Sequence, residues 1–167
     1  MVEAGILGPD EPLELIEGEL IEVTPQGPPH ANVIRQLGTR LTRLYTGLSV
    51  SQGAPIDAGP NSLPEPDIAV IDAPADELMR RHPRGDETVL AIEVAFSSHA
   101  FDRLKAGIYA RAMVPVYWLV DIPARRIEVH EEPRADGRYR LVRILAGSDT
   151  LTPPKTSAVW TVDELLP

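Results

Sequence analysis

The sequence predicts an α/β fold in which one mixed β-sheet is flanked by helices. Three observations lead there. Two compact apolar strands, Ile68–Ile71 and Thr88–Ala95, are followed by a helical stretch that Pro115 stops and by a third apolar strand, Val116–Val120. A strand, a helix and a strand joined this tightly make a right-handed crossover with a parallel pair. The rest of the chain is cut into short elements by seventeen prolines and twelve glycines. No glycine-rich loop of the G-x-G-x-x-G or Walker type is present, so a doubly wound nucleotide-binding sheet is not expected.

The elements follow in order. Residues 13–24, LELIEGELIEVT, carry apolar residues on both arms around Glu17-Gly18 and predict a β-hairpin, ended by the prolines from Pro25 to Pro29. From His30 to Tyr45, Val33, Ile34, Leu37, Leu41 and Leu44 recur at helical spacing, with Arg35, Arg40 and Arg43 off the stripe. Short strands are expected at 48–51 and 54–57. Residues 72–87 predict a loop with one helical turn at 76–81. Ser97 and Ser98 suit a helix start, Asp102 its positive end, and Phe101, Leu104, Ile108 and Ala112 its buried stripe. Strands at 125–131 and 138–145 form a hairpin around Asp136-Gly137, and residues 161–166 close the chain with a helical turn.

The 167 residues make one ordinary domain, long enough for a single core. No apolar run approaches the ~18 residues that span a bilayer, and no leader-like segment follows Met1. A soluble protein with no membrane association is expected. With no cysteine, disulfides and thiolate metal ligands are excluded, which suits a reducing cytoplasm. Sixteen bases face twenty-five acids, a net charge of −9. That balance argues against a broad DNA-binding surface, because phosphate contacts supply most of such affinity. The local arginine clusters, 35/40/43 and 80/81/84, read first as solvated surfaces.

Glu93 is the residue that demands explanation, a lone acid between Ile92 and Val94 in an apolar strand. An unpaired buried carboxylate costs several kcal/mol, which a metal or a cation offsets. Asp67 follows Pro66 and opens the neighbouring strand, where it can reach the same rim. Lys105 is one of only two lysines among the sixteen basic residues. Its compact ammonium suits a place beside a carboxylate pair, where a guanidinium would be too broad. Each has a plainer reading: a salt-bridged Glu93, a turn-forming Asp67, and an i,i+3 pair of Lys105 with Asp102. Together, two carboxylates on adjacent strands form an oxygen site suited to Mg²⁺ (or Mn²⁺), with the lysine placed to orient a water. His82, His99 and His130 show no metal-ligand spacing.

Several blocks in order carry a family resemblance: LELIEGELIEV (13–23), PPH (28–30), EPDIAVI (65–71), AIEVAFSS (91–98), DRLKAGIYARAMVPVYWLVD (102–121) and SDTLTPP (148–154). In these the chain resembles the Uma-two family of restriction-endonuclease-like proteins, within the PD-(D/E)xK nuclease superfamily. The resemblance implies a restriction-endonuclease-like fold and a site of Asp67, Glu93 and Lys105, the lysine having moved from strand to helix. It adds Glu14 as a further catalytic and metal-binding acid, Glu19 as a weaker substitute for it, and His30 as a site neighbour. The place two residues after Glu93, where the standard motif has its lysine, is Ala95. Asp102 to Lys105 is one residue shorter than the family's D-x-x-x-K, and one residue turns a helical side chain by roughly 100°. The function so implied is Mg²⁺-dependent hydrolysis of DNA phosphodiesters, with a homodimer as the form that cuts both strands. The alternatives are a non-catalytic binding or regulatory protein on the same scaffold, which the acidic balance favours, and a hydrolase of some other phosphodiester.

Overall fold

The computed structural model describes residues 8, 11–23, 27–96 and 99–166, with the backbone alone of His99 and Ala100. Strands β1 (Leu13–Ile16) and β2 (Glu19–Glu22) form the expected hairpin, turning through Glu17 and Gly18 at positive φ. Helix α1 (Pro28–Leu44) follows. Two prolines begin it, where their missing N–H groups cost nothing and their fixed φ is already helical.

The central sheet has six strands in the order β3 (Ser49–Ser51), β4 (Ile68–Ile71), β5 (Thr88–Ala95), β6 (Val116–Asp121), β7 (Arg126–Arg134) and β8 (Arg138–Ala146). Every neighbouring pair is antiparallel except β5–β6, which is parallel. That exception is the crossover, made through α3 (His99–Arg111). A one-turn helix α2 (Ala75–Leu78) and a 3₁₀ turn at Gly85–Glu87 lie in the connection before β5. The chain closes with β9 (Thr150–Leu151), β10 (Trp160–Thr161) and α4 (Val162–Leu165). No helix among the described residues is long and apolar enough to cross a membrane.

The sheet is covered on both faces. On one, Val33, Leu37 and Leu41 of α1 pack on Ile68, Val70, Ile92, Val94, Trp118 and Val120. Each fully buried leucine contributes about 1.5–3 kcal/mol. On the other, α3 lies over Ala69, Ala91, Ala95, Tyr117 and Leu119. Alanines on β4 and β5 leave room there for side chains longer than a core would need.

Three expectations change. Residues 54–57 form no strand, and Asp57 makes only an isolated bridge to Arg84. The helical turn expected at 76–81 is shorter and earlier, at Ala75–Leu78. The expected stripe of α3 holds at Ile108 and, half-buried, at Phe101 and Ala112, but Leu104 is 47% exposed while Asp102, Lys105 and Tyr109 are buried. Lys105 and Tyr109 turn inward because carboxylates on the sheet and the hairpin await them. Ser97, Ser98, Thr24 and Pro25 lie outside the described residues.

Candidate active site

The buried stripe of α3 delivers Lys105 onto the sheet. Its ammonium, 3% exposed, stands 3.1 Å from Glu93 Oε1 and 2.8 Å from Glu14 Oε2. It also donates to the Glu65 carbonyl at 3.4 Å, and the Phe101 ring lies 5.2 Å from it. Glu93 points toward α3 because it shares the alternation of Ala91 and Ala95, not that of Ile92 and Val94. Tyr109, one helical turn past Lys105, donates its hydroxyl to Glu93 Oε1 at 2.8 Å.

Asp67 arrives by strand register. Ile68 pairs with Ile92, so the next step places Asp67 across from Glu93. Its Oδ2 accepts the Val94 backbone N–H at 2.7 Å and lies 3.1 Å from His30 Nε2. The first turn of α1 supplies that histidine.

Glu14 is brought in by the hairpin. β1 docks through the Leu15–Leu63 bridge, with the Leu63 N–H donating to the Leu15 carbonyl at 2.8 Å. The Glu65 N–H then donates to Glu14 Oε2 at 3.2 Å. Glu19, on β2, is exposed; of the two acids, Glu14 is the one that reaches Lys105.

Burial pushes the Glu93 carboxyl up to about 8, against the pull of Lys105 and with added repulsion from Asp67, Asp102 and Glu14. Burial disfavours the charge on Lys105, yet Glu93 and Glu14 outweigh it and hold the ammonium above its usual range. Glu65 is raised by burial and by Glu14. A groove of about 500 Å³ opens onto this region, lined among others by Glu14, His30, Gln52, Glu65 and Asp67. Glu93 and Lys105 are not among the residues that line it.

The structure therefore brings Glu14, Asp67, Glu93, Lys105 and His30 into one neighbourhood. Asp102 also faces inward, 5% exposed, and its carboxylate acts on Glu93 despite the shortened spacing. Two contributors escape a reading of the sequence. The signal that could have found Tyr109 is its i+4 spacing from Lys105 on one helix face, whereas Glu65 acts through its backbone and leaves no signal in residue type.

The donor set is hard oxygen, the chemistry Mg²⁺ selects. Among the described residues, no three His, Asp or Glu side chains are gathered closely enough to cage an ion unaided. Mg²⁺ needs only one or two carboxylates and retains its waters. Asp67 and Glu93 offer that pair, and the contacts above fall on one oxygen of each.

Comparison with known proteins defines the class first. A crystal structure described as "a putative nuclease belonging to DUF820", from Anabaena variabilis, superposes with a TM-score of 0.75, covering 98% of this chain and 94% of that one. At 18% identity this likeness establishes the restriction-endonuclease-like fold. Residues 3–164 match the Uma2 family, whose description is "Putative restriction endonuclease", and the chain belongs to that family. No curated protein sequence matches it.

Proposed function

We propose that the protein is a Mg²⁺-dependent nuclease that hydrolyses DNA phosphodiester bonds, with Asp67 and Glu93 holding the ion and Mn²⁺ able to replace it. The observation that carries this reading is the placement of Asp67 across from Glu93 at the β4–β5 rim, with the Lys105 ammonium against Glu93. When bound, the ion polarises a phosphoryl oxygen and lowers the pKa of a water. Lys105 steadies negative charge developing at phosphorus and holds the nucleophile in line. Tyr109 fixes the Glu93 carboxylate, and the Val94 amide with His30 fixes that of Asp67. Glu14 anchors Lys105 from the hairpin side and serves as the further acid. A cytoplasmic location and a homodimer belong to the same reading, the latter as the form in which both strands of a duplex are cut.

The test is divalent-ion-dependent cleavage of DNA by the wild type and by Asp67→Asn, Glu93→Gln and Lys105→Ala, with thermal melts to establish folding. Folded Lys105→Ala loses roughly 10²–10³-fold in kcat, the typical effect of deleting one transition-state donor. Equal cleavage by all four proteins would assign the activity to a contaminant.

One observation favours a second reading. Lys105 already pairs with both Glu14 and Glu93 from within, as in a purely structural ion cluster. On that reading the protein is a non-catalytic binding module, and calorimetry finds no Mg²⁺ or Mn²⁺ binding.

A further inference from the structure

A second polar cluster occupies the same sheet face as Glu93, beyond α3, and the reading above leaves it unused. Asp121 ends β6 across from Ala95, one strand over from Glu93 and two residues further along. Glu128 stands on β7 across from Leu119. Both carboxylates are almost wholly buried, with side chains 4% and 7% exposed.

Each holds an arginine at the surface. Arg103 of α3 donates through Nη2 to Glu128 Oε1 at 2.7 Å. Arg126 places its Nη2 3.0 Å from Asp121 Oδ2 and 3.9 Å from Glu128 Oε1. Arg126 Nε is buried and has no hydrogen-bond partner among the described residues. The Ala124 N–H donates to Asp121 Oδ1 at 3.1 Å, fixing the turn beneath. Arg103, Asp121, Pro123, Ala124 and Arg126 line an open pocket of about 370 Å³.

A guanidinium carries five N–H donors in a rigid fork. The buried carboxylates engage one terminal nitrogen of each fork, and about half of Arg103 and a third of Arg126 remain exposed. Arginines buttressed in this way are preorganised, so little rotamer freedom is lost when they grip an anion. We propose that the Arg103–Arg126 pocket is a phosphate-binding subsite. Its identification with a backbone phosphate of the nucleic acid rests on the nuclease reading. Two acids facing the two arginines offset the positive charge of the cluster before any ligand arrives. That makes it weak for free phosphate and suits it to one contact among several along a strand, where phosphate contacts set position. By strand geometry its inner wall, Asp121, lies roughly 8 Å from Glu93 between Cα atoms, and Arg126 stands one strand further out.

The test has two arms. In the wild type, the arginine Nε–H resonances are followed by ¹⁵N NMR during titration with inorganic phosphate. Separately, DNA binding and cleavage are measured against salt for the wild type, Arg103→Gln/Arg126→Gln and Arg103→Lys/Arg126→Lys. The glutamine pair is expected to lower the salt slope by about 1, raise KM more than it lowers kcat, and weaken binding equally across sequences. The lysine pair keeps the ion pairs with Asp121 and Glu128 and recovers most of the slope. If the wild type binds DNA and the folded glutamine pair matches it in slope and KM, the subsite is wrong and the nuclease reading survives. If the wild type ignores DNA while the Arg103 and Arg126 resonances shift with inorganic phosphate, the subsite stands and its ligand is a free phosphate. Silence in both arms overturns both.

Discussion

Glu93 brings a carboxyl group into a strand whose eight residues are all buried, and its consequences are electrostatic before they are catalytic. Burial raises it from the ordinary 4.5 to about 8. Between those values the folded protein binds more protons than the unfolded chain, so stability declines as pH rises through the window. The contribution is full below about 4.5 and gone once pH has passed about 8. Urea unfolding across that interval should show the decline in the wild type and a flatter profile in Glu93→Gln. An identical slope in both would mean that the group titrates normally. The acid was legible in the sequence because no other charged residue accompanies it in β5. Lys105 was legible through rarity and resemblance. Its burial was not, because the carboxylate that draws it inward, Glu14, lies 91 residues away along the chain.

Helix α3 shows how an element can be legible in extent and only in part in the face it buries. Its end near Ala112 follows from Pro115, but the apolar count selected a stripe through Leu104, which is exposed. Hydrophobic periodicity weighs transfer free energies and has no term for a lysine compensated by two acids. The sheet decides the outcome, since Ala91 and Ala95 leave space on β5 that Lys105 and Tyr109 fill. The far end of the same helix is pinned by a close approach. A Cβ built on Gly85 would sit 2.1 Å from the Ala112 carbonyl oxygen and 2.6 Å from the Ala112 Cβ. The oxygen is backbone and cannot swing aside, so Gly85→Ala must displace either the 3₁₀ turn or the end of α3. A loss of about 1–3 kcal/mol is expected, as for other overpacked sites, read from chemical denaturation. A neutral result would show that the turn shifts freely.

At the scale of the molecule, the sheet is steeply graded from centre to edge. The crossover at β5–β6 was readable because strand, helix and strand follow without slack. The β7–β8 hairpin was readable from Asp136-Gly137, whose glycine adopts a φ of +81°. The docking of β1–β2 was not, because it rests on contacts with residues 61–65, the Leu63 bridge among them, outside the regular strands. The acidic balance also keeps its meaning, since Arg81 and Arg84 of one sequence cluster are spent on Glu77, Asp86 and Glu87. β5 is buried along its whole length between two strands, while β8 is an edge carrying exposed Leu141, Val142 and Ile144. Amide protection follows burial and the number of strands that must part before water enters. Hydrogen exchange should therefore find Leu90 and Ile92 opening only with global unfolding, and β8 opening well before them. The Val94 amide provides an internal control, because its partner is the Asp67 side chain and not another strand. In Asp67→Ala, Val94 should lose protection while Leu90 and Ile92 keep theirs. Uniform loss along β5 would mean that Asp67 holds the sheet together, and no change at Val94 would mean that the contact which orients the candidate metal-binding carboxylate does not persist in solution.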